Sequence, residues 1–309
     1  MRAQAGRTRS GREHRVTVVV ATRDRRDSLL RVLEQLRSLP ERPPIVVVDN
    51  ASSDGTLASV RSRFPEVDAI ALEENLGAAA RTVGARAAET PFVAFADNDS
   101  WWEPGALTLA ADVLEDHPRL ALVAARVLLE PGGREEPACA FMGESPLRAD
   151  ELLPGKPVLG FVACGAVVRR SAYLEAGGFH ARLHFGGEEQ LLALDLARRG
   201  WKLVYLPTVV ARHEPSPLRD ESWRFQRQAR NALWFAWLRR ALTAALGATW
   251  VALRAGRHDA AIRSALVEAL RALPWILRER DPVGPELEMQ LQLLDRQRAR
   301  GEATVRDVC

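Results

Sequence analysis

Between residues 15 and 207, short runs of β-branched and small apolar residues alternate with segments of helical period. That alternation restricts the chain to βαβ units around a mainly parallel sheet flanked by helices. Residues 16–21 form an unbroken run of this kind, the pattern of a strand buried on both faces. Leu29, Leu30, Leu33, Leu36 and Leu39 then recur at helical spacing up to Pro40, with Asp24 or Asp27 placed to cap the helix. The same reading puts strands at 45–48, 67–72, 92–96, 121–129 and 202–206, with a strand-like stretch over 159–169. Helices are expected at about 55–64, capped by Asp54, and at 78–88, 105–116, 171–176 and 188–199, the last closed by Gly200. Residues 130–157, rich in Pro, Gly and charge, read as a surface loop with little regular structure. Beyond Pro215-Ser216-Pro217 the pattern is helical without strands. The expected organisation is a disordered basic arm over 1–14, an α/β domain over 15–214 and a C-terminal α-helical segment over 215–309.

Composition narrows the partners. The net charge is +3, and Lys156 and Lys202 are the only lysines. A mild arginine excess with abundant Ala and Gly points to a GC-rich bacterial genome, whereas a nucleic-acid binder would carry clustered basic stripes. Cys139, Cys164 and Cys309 are widely spaced with no C-x-x-C pair, so neither a disulfide framework nor a zinc site is expected. The first fifteen residues are basic but lack the apolar core of a secretory signal. The charge-free apolar stretch 241–253 falls short of the roughly 20 residues that cross a bilayer. The expected location is cytoplasmic. Residues 219–280 hold twelve arginines against five acids, interleaved with tryptophan and phenylalanine. Such helices suit packing against the α/β domain or a peripheral contact with the inner face of a membrane.

Polar residues collect at the carboxyl ends of the first four strands, where open parallel sheets bind their ligands. They are Thr22-Arg23-Asp24, Asp49-Asn50-Ala51-Ser52-Ser53-Asp54, Glu74-Asn75-Leu76-Gly77 and Asp97-Asn98-Asp99. Each alone reads as a turn or a cap; four in succession read as one crevice. In extended chain the carboxylates of Asp97 and Asp99 share a face about 6–7 Å apart. That is a place for Mg²⁺ or Mn²⁺, whose remaining positions phosphate oxygens and water would fill.

In this ordered set the chain resembles a family-2 glycosyltransferase of the GT-A fold. The set is completed by Arg81, by Gly187-Glu188-Glu189-Gln190 followed by Arg198-Arg199-Gly200-Trp201, and by Val210-Ala211-Arg212-His213. The resemblance implies a nucleotide-diphospho-sugar donor, with Thr22, Arg23 and Asp24 framing the nucleotide and Asp49 on the base. It implies that Arg81 lies near the nucleotide or its diphosphate and that Asp97 faces the ribose or a metal-bound water, with Asn75 and Asn98 also among the nucleotide-sugar-binding residues. Asp97, Asp99 and His213 are then the metal set, with Asp99 the direct ligand. Glu189 occupies the position of the catalytic base, which in the family is usually an Asp in a Glu-Asp pair; here the pair is Glu188-Glu189, so either carboxylate could serve.

An acceptor hydroxyl must lose its proton as it attacks the anomeric carbon, which is the independent reason for a carboxylate there. Two acids in a first helical turn also suit the helix dipole without any catalysis. Trp101, Trp102 and His184 are candidates to touch the acceptor, which the sequence leaves open among a glycan, a lipid-linked molecule and a natural product. The glycine-rich phosphate loops of nucleotidyltransferases, dinucleotide enzymes and P-loop proteins are missing after the first strand. The reading is an inverting, metal-dependent transfer of a sugar to a hydroxyl. The alternative is an idle sugar-nucleotide-binding scaffold on the same fold.

Overall fold

The computed structural model describes residues 14–149, 151–215 and 221–308. The expected basic arm falls almost wholly outside them, as does the junction at Ser216-Pro217. The chain begins with β1 (Val16–Thr22), α1 (Arg26–Ser38), β2 (Ile45–Asp49), α2 (Thr56–Arg63), β3 (Asp68–Ala71), α3 (Ala80–Ala87) and β4 (Phe92–Asp97). In β1 the successive residues Val18, Val19 and Val20 are all fully buried. Because neighbouring side chains point to opposite faces, both faces of the strand are covered. On one of them α3 comes very close: a Cβ on Gly84 would stand 2.4 Å from Val19 Cγ1, so no larger residue fits there.

The next elements are β5 (Ser100–Trp102), α4 (Ala106–Asp116), β6 (Leu120–Leu129), β7 (Arg134–Glu135), α5 (Pro137–Gly143), β8 (Lys156–Pro157), β9 (Ala166–Arg169), α6 (Arg170–Glu175), α7 (Glu188–Arg198) and β10 (Lys202–His213). The strands form one ten-stranded sheet in the order β3-β2-β1-β4-β9-β6-β10-β5, with β7 on β6 and β8 on β10. The sheet is less parallel than expected. β1 runs parallel to β2 and β4, β2 to β3 and β6 to β10, whereas β9 lies antiparallel between β4 and β6, and β5, β7 and β8 also pair antiparallel.

Three local expectations change. The 130–157 loop contains α5, which packs on β6 and β10 with its Cys139 and Met142 buried; its short apolar run is masked by the Pro, Gly and charge around it. Of 159–169 only the last four residues are strand, because the chain first turns through a 3₁₀ segment at Ala163–Gly165. β10 continues past Leu206 through a register shift before Val210, where Pro207 has no N–H to give the ladder, and so reaches His213.

Helix capping also differs. Neither Asp24 nor Asp27 caps α1, whose N-cap is Arg25. Asp54 instead accepts from the backbone of Arg26 at 3.1 Å and of Thr56 at 3.0 Å, so one carboxylate ties down the starts of α1 and α2.

The remaining helices are α8 (Glu221–Arg239), α9 (Leu242–Ala255), α10 (Ala260–Arg271), α11 (Leu273–Glu279) and α12 (Pro285–Val308). They share a core with α7: Leu191 and Leu194 pack with Trp234, Leu238, Ile276 and Leu294. Ion pairs reinforce the join, Arg239 reaching Asp195 on α7 at 2.6 Å, and Arg240 reaching Glu288 and Asp295 on α12. α9 leaves Leu242, Leu246, Trp250, Val251 and Leu253 exposed. Among the described residues no helix is long and apolar enough to cross a membrane.

Candidate active site

The carboxyl ends of β1, β2 and β4, the turn before α3, the start of α7, the end of β10 and the first turns of α8 enclose a cleft of about 530 Å³. It gathers Thr22, Arg23, Asn75, Arg81, Asp97, Asn98, Asp99, Glu188, Glu189, His184 and His213 from the residues singled out in the sequence. Asp24 lies in an adjoining cavity of about 670 Å³ against α1, which shares Asn98 and Asp99 with the cleft and is also lined by Trp101.

Two expected residues are elsewhere. Asp49 is only 4% exposed. Its carboxylate accepts from the Ser52 backbone N–H at 3.2 Å and from the Ser52 hydroxyl, so it holds the turn after β2 instead of presenting an edge to a base. Its neighbour Asn50 takes the wall position, donating to the Gly77 carbonyl at 3.2 Å and accepting from Leu76 N–H at 3.0 Å. Trp102 is 1% exposed in the main core, because its register opposite Ala211 on β10 turns it inward, and it cannot stack on an acceptor.

Asp97 is joined in an ion pair to Arg81 of α3. Burial works against the Arg81 charge, but Asp97, then Glu188 and Glu189, outweigh it and raise the guanidinium's pKa. Asp99 faces the other way. Its Oδ1 lies 3.4 Å from His213 Nε2, both side chains being mostly buried, because antiparallel pairing sets His213 opposite Ser100. Among the described residues no cluster of three or more His, Cys, Asp or Glu is arranged to hold a metal by itself. One carboxylate and one imidazole converging on a cleft of this size nevertheless fit a cation that takes its remaining ligands from a diphosphate.

The Glu188-Glu189 pair opens α7 directly after Gly186 and Gly187, both at positive φ. Burial raises the Glu188 carboxyl above its ordinary value. Burial, then the charge of Glu188, pushes Glu189 up to about 8, although its side chain still borders the cleft. Such a carboxylate is poorly hydrated and holds a proton avidly once it has one.

A residue absent from the sequence reading controls this turn. The Asn231 amide on α8 is within hydrogen-bond distance of the carbonyls of Leu183 (2.8 Å), Phe185 (2.9 Å) and Gly186 (2.6 Å). Its own oxygen accepts from Arg230, which is anchored in turn by Glu268. Trp223, Arg224 and Gln228 of the same helix line the cleft. The only sequence signal for them was the basic and aromatic character of that helix. His184 sits at positive φ with its carbonyl on Ala78 N–H at 2.8 Å. Burial and then Arg227, Arg230 and Arg23 lower its pKa, which disfavours the charged imidazolium.

Residues 17–177 match the model of glycosyl transferase family 2. The chain belongs to that family. Among curated relatives, the N-acetylglucosaminyl-diphospho-decaprenol L-rhamnosyltransferase of Mycobacterium tuberculosis is 28% identical over 229 residues, 63% of this chain and 75% of the relative. The pre-mycofactocin glycosyltransferase of the same organism is 33% identical over 227 residues, 68% of this chain but 45% of the relative. Among solved structures, the Pyrobaculum calidifontis mannosyltransferase PcManGT in complex with GDP-Man and Mn²⁺ superposes with a TM-score of 0.58 at 22% identity, over 91% of this chain and 86% of the other. S. aureus TarS in complex with UDP gives 0.55 at 20% identity, over 84% and 71%. This family-2 glycosyltransferase therefore has the GT-A architecture, extended by C-terminal helices.

Proposed function

We propose that this glycosyltransferase moves a sugar from a nucleotide-diphosphate donor to an acceptor hydroxyl, with inversion and with help from a divalent cation. The observation that carries the reading is that the Glu189 carboxylate and the Asp99–His213 pair line the same cleft. An idle scaffold on this fold would not need both.

In the proposed reaction Thr22, Arg23, Asn50 and Asn75 frame the nucleotide at the strand ends. Asp99 and His213 would hold Mn²⁺ or Mg²⁺, whose chemistry when bound is to neutralise charge on the leaving diphosphate. Asp97, fixed by Arg81, faces the ribose and donor sugar. Glu189 accepts the acceptor's O–H proton as that oxygen attacks the anomeric carbon; the bond to the diphosphate breaks and its electron pair leaves with the phosphate oxygen. One carboxylate at the acceptor and a direct displacement give inverted configuration.

The support from likeness is consistent with this. The solved neighbours carry GDP-Man with Mn²⁺, or UDP, and the curated relative is named for a lipid-diphosphate acceptor. A lipid-linked acceptor would also suit the exposed apolar side chains of α9, which we take as a peripheral contact with a lipid surface. The test is a panel of UDP-, GDP- and dTDP-sugars screened for binding and for donor hydrolysis with Mn²⁺ and Mg²⁺. Nucleotide binding without hydrolysis or transfer under any condition would favour the scaffold.

A further inference from the structure

Behind Glu189 lies a second compartment of about 240 Å³, walled by α5, residues 158–161, the first turn of α7 and α12. Gly187 and Glu189 belong to both its wall and that of the donor cleft. Most of the remaining lining is apolar, chiefly Phe141, Met142, Leu159, Phe161 and Leu294, with Gln190 and Arg298 as polar side chains on the wall. Its hydroxyl, on Ser145, is already committed to the Pro157 carbonyl at 2.6 Å. At roughly 30 Å³ per water the compartment has room for about eight water-sized groups, far more than the packing defects of a protein interior.

We infer that this compartment is an acceptor subsite that takes an apolar group, an aliphatic chain or an aromatic ring, carried beside the reacting hydroxyl. The inference rests on Glu189 being the base. The nucleotide and diphosphate of a donor suit the larger cleft of about 530 Å³, since in this compartment of about 240 Å³ most of their polar groups would lose water against apolar walls. An apolar group attached to the acceptor gains affinity from leaving water and is positioned by the pocket's shape. It thereby brings the adjoining hydroxyl to the Glu189 side of the wall. α12 supplies part of the lining through Leu294 and Arg298, and the Arg298 guanidinium lies over the Phe141 ring at 5.5 Å. On this reading the last helix contributes to acceptor choice.

The sequence contains three methionines, Met1, Met142 and Met289, so ¹³C-methyl methionine NMR reads the compartment directly through Met142. Met289, on α12 and 59% exposed, is the control for unspecific adhesion. The probes are octyl β-D-glucoside below its micelle concentration, phenyl β-D-glucoside, and methyl β-D-glucoside, which lacks an apolar group. The octyl or the phenyl compound should shift Met142 saturably while methyl glucoside does not; which of the two acts decides between chain and ring.

Gly160 lines the compartment at an ordinary φ with open space around a built Cβ. Gly160→Leu should therefore fold and weaken the Met142 response at least tenfold. Leu159→Trp is the second plug. Thermal stabilisation of either variant by UDP, GDP or dTDP with Mn²⁺ should equal that of the wild type. With any donor that supports transfer, the wild type should use the effective glycoside at least tenfold better in kcat/KM than methyl glucoside, and both plugs should erase that preference. An unmoved Met142, a Met289 shift of equal size, or a Met142 response that survives both plugs would overturn the inference. Failure of every nucleotide to bind beside an intact Met142 response would count against the donor reading instead.

Discussion

The Asn231 amide nitrogen stands 2.6 Å from the Gly186 carbonyl oxygen, so a helix of the C-terminal segment fixes the turn that presents Glu188 and Glu189. Gly186 could not be larger there, since a Cβ would meet Gln228 Cγ at 2.8 Å. Asn231→Ala takes the side-chain donor from the Phe185 and Gly186 carbonyls and one acceptor from the Arg230 guanidinium, while the Leu183 carbonyl keeps the Phe185 N–H. The expected loss of stability is about 1–3 kcal/mol. As a positioning residue, Asn231 should affect kcat more than donor binding, with a fall on the order of tenfold to a hundredfold. Steady-state kinetics beside nucleotide thermal shifts would check this; equal losses in kcat and nucleotide affinity would reduce its role to general folding.

Glu189→Gln keeps size and hydrogen bonding but removes the basic site. Its kcat should drop by a factor on the order of 10²–10⁴ with donor affinity nearly intact. Glu188→Gln should be milder. Product configuration, read from the anomeric coupling by NMR, should be inverted. A product that retains the donor configuration would rule out single displacement.

The raised Glu189 carboxyl has consequences for pH. As a base it must be unprotonated, so the rate should climb with pH and level off above about 8. Stability should move oppositely. The folded chain keeps a proton that the unfolded chain, with a carboxyl near 4.5, releases, so the cost of holding the charge is absent below about 4.5 and complete above about 8. Melting curves from pH 4 to 9 should show Glu189→Gln matching wild type at the acid end and exceeding it at the alkaline end.

Asp97 and Asp99 should separate by phenotype. Asp99→Ala and His213→Ala should raise the Mn²⁺ concentration needed for half-maximal activity, and EDTA should abolish wild-type turnover. Asp97→Ala should be less harmful to activity but should lower Tm, because it leaves the mostly buried Arg81 guanidinium unpaired. Full activity of Asp99→Ala in EDTA would refute the metal assignment.

If α9 meets lipid, anionic vesicles should retain the protein at low salt and release it at high salt. Trp250→Ala, at an exposed apolar position, should weaken that retention. No retention by neutral or anionic vesicles, or retention untouched by Trp250→Ala, would leave α9 without a membrane role.

Much of the α/β half was legible in the chain, because strand and helix periodicities are local. β1, β2 and β4, α1 and α3, and the polar residues at the strand ends follow from neighbours a few positions apart. What the sequence alone could not decide depends on pairings between distant segments. Trp101 and Trp102 must point to opposite faces of a strand, yet only the pairing of β5 with β10 sends Trp102 into the core. The same pairing brings His213 to Asp99 across more than a hundred residues. Asp49 was read by its place at a strand end, but the turn of Ser52 back onto β2 consumes its carboxylate. Asn231 carries no signal of its own, since an asparagine inside a helix has no local partner to betray it. Its function exists only because α8 packs against the glycine turn, bringing a side-chain amide to carbonyls 45–48 residues earlier in the chain.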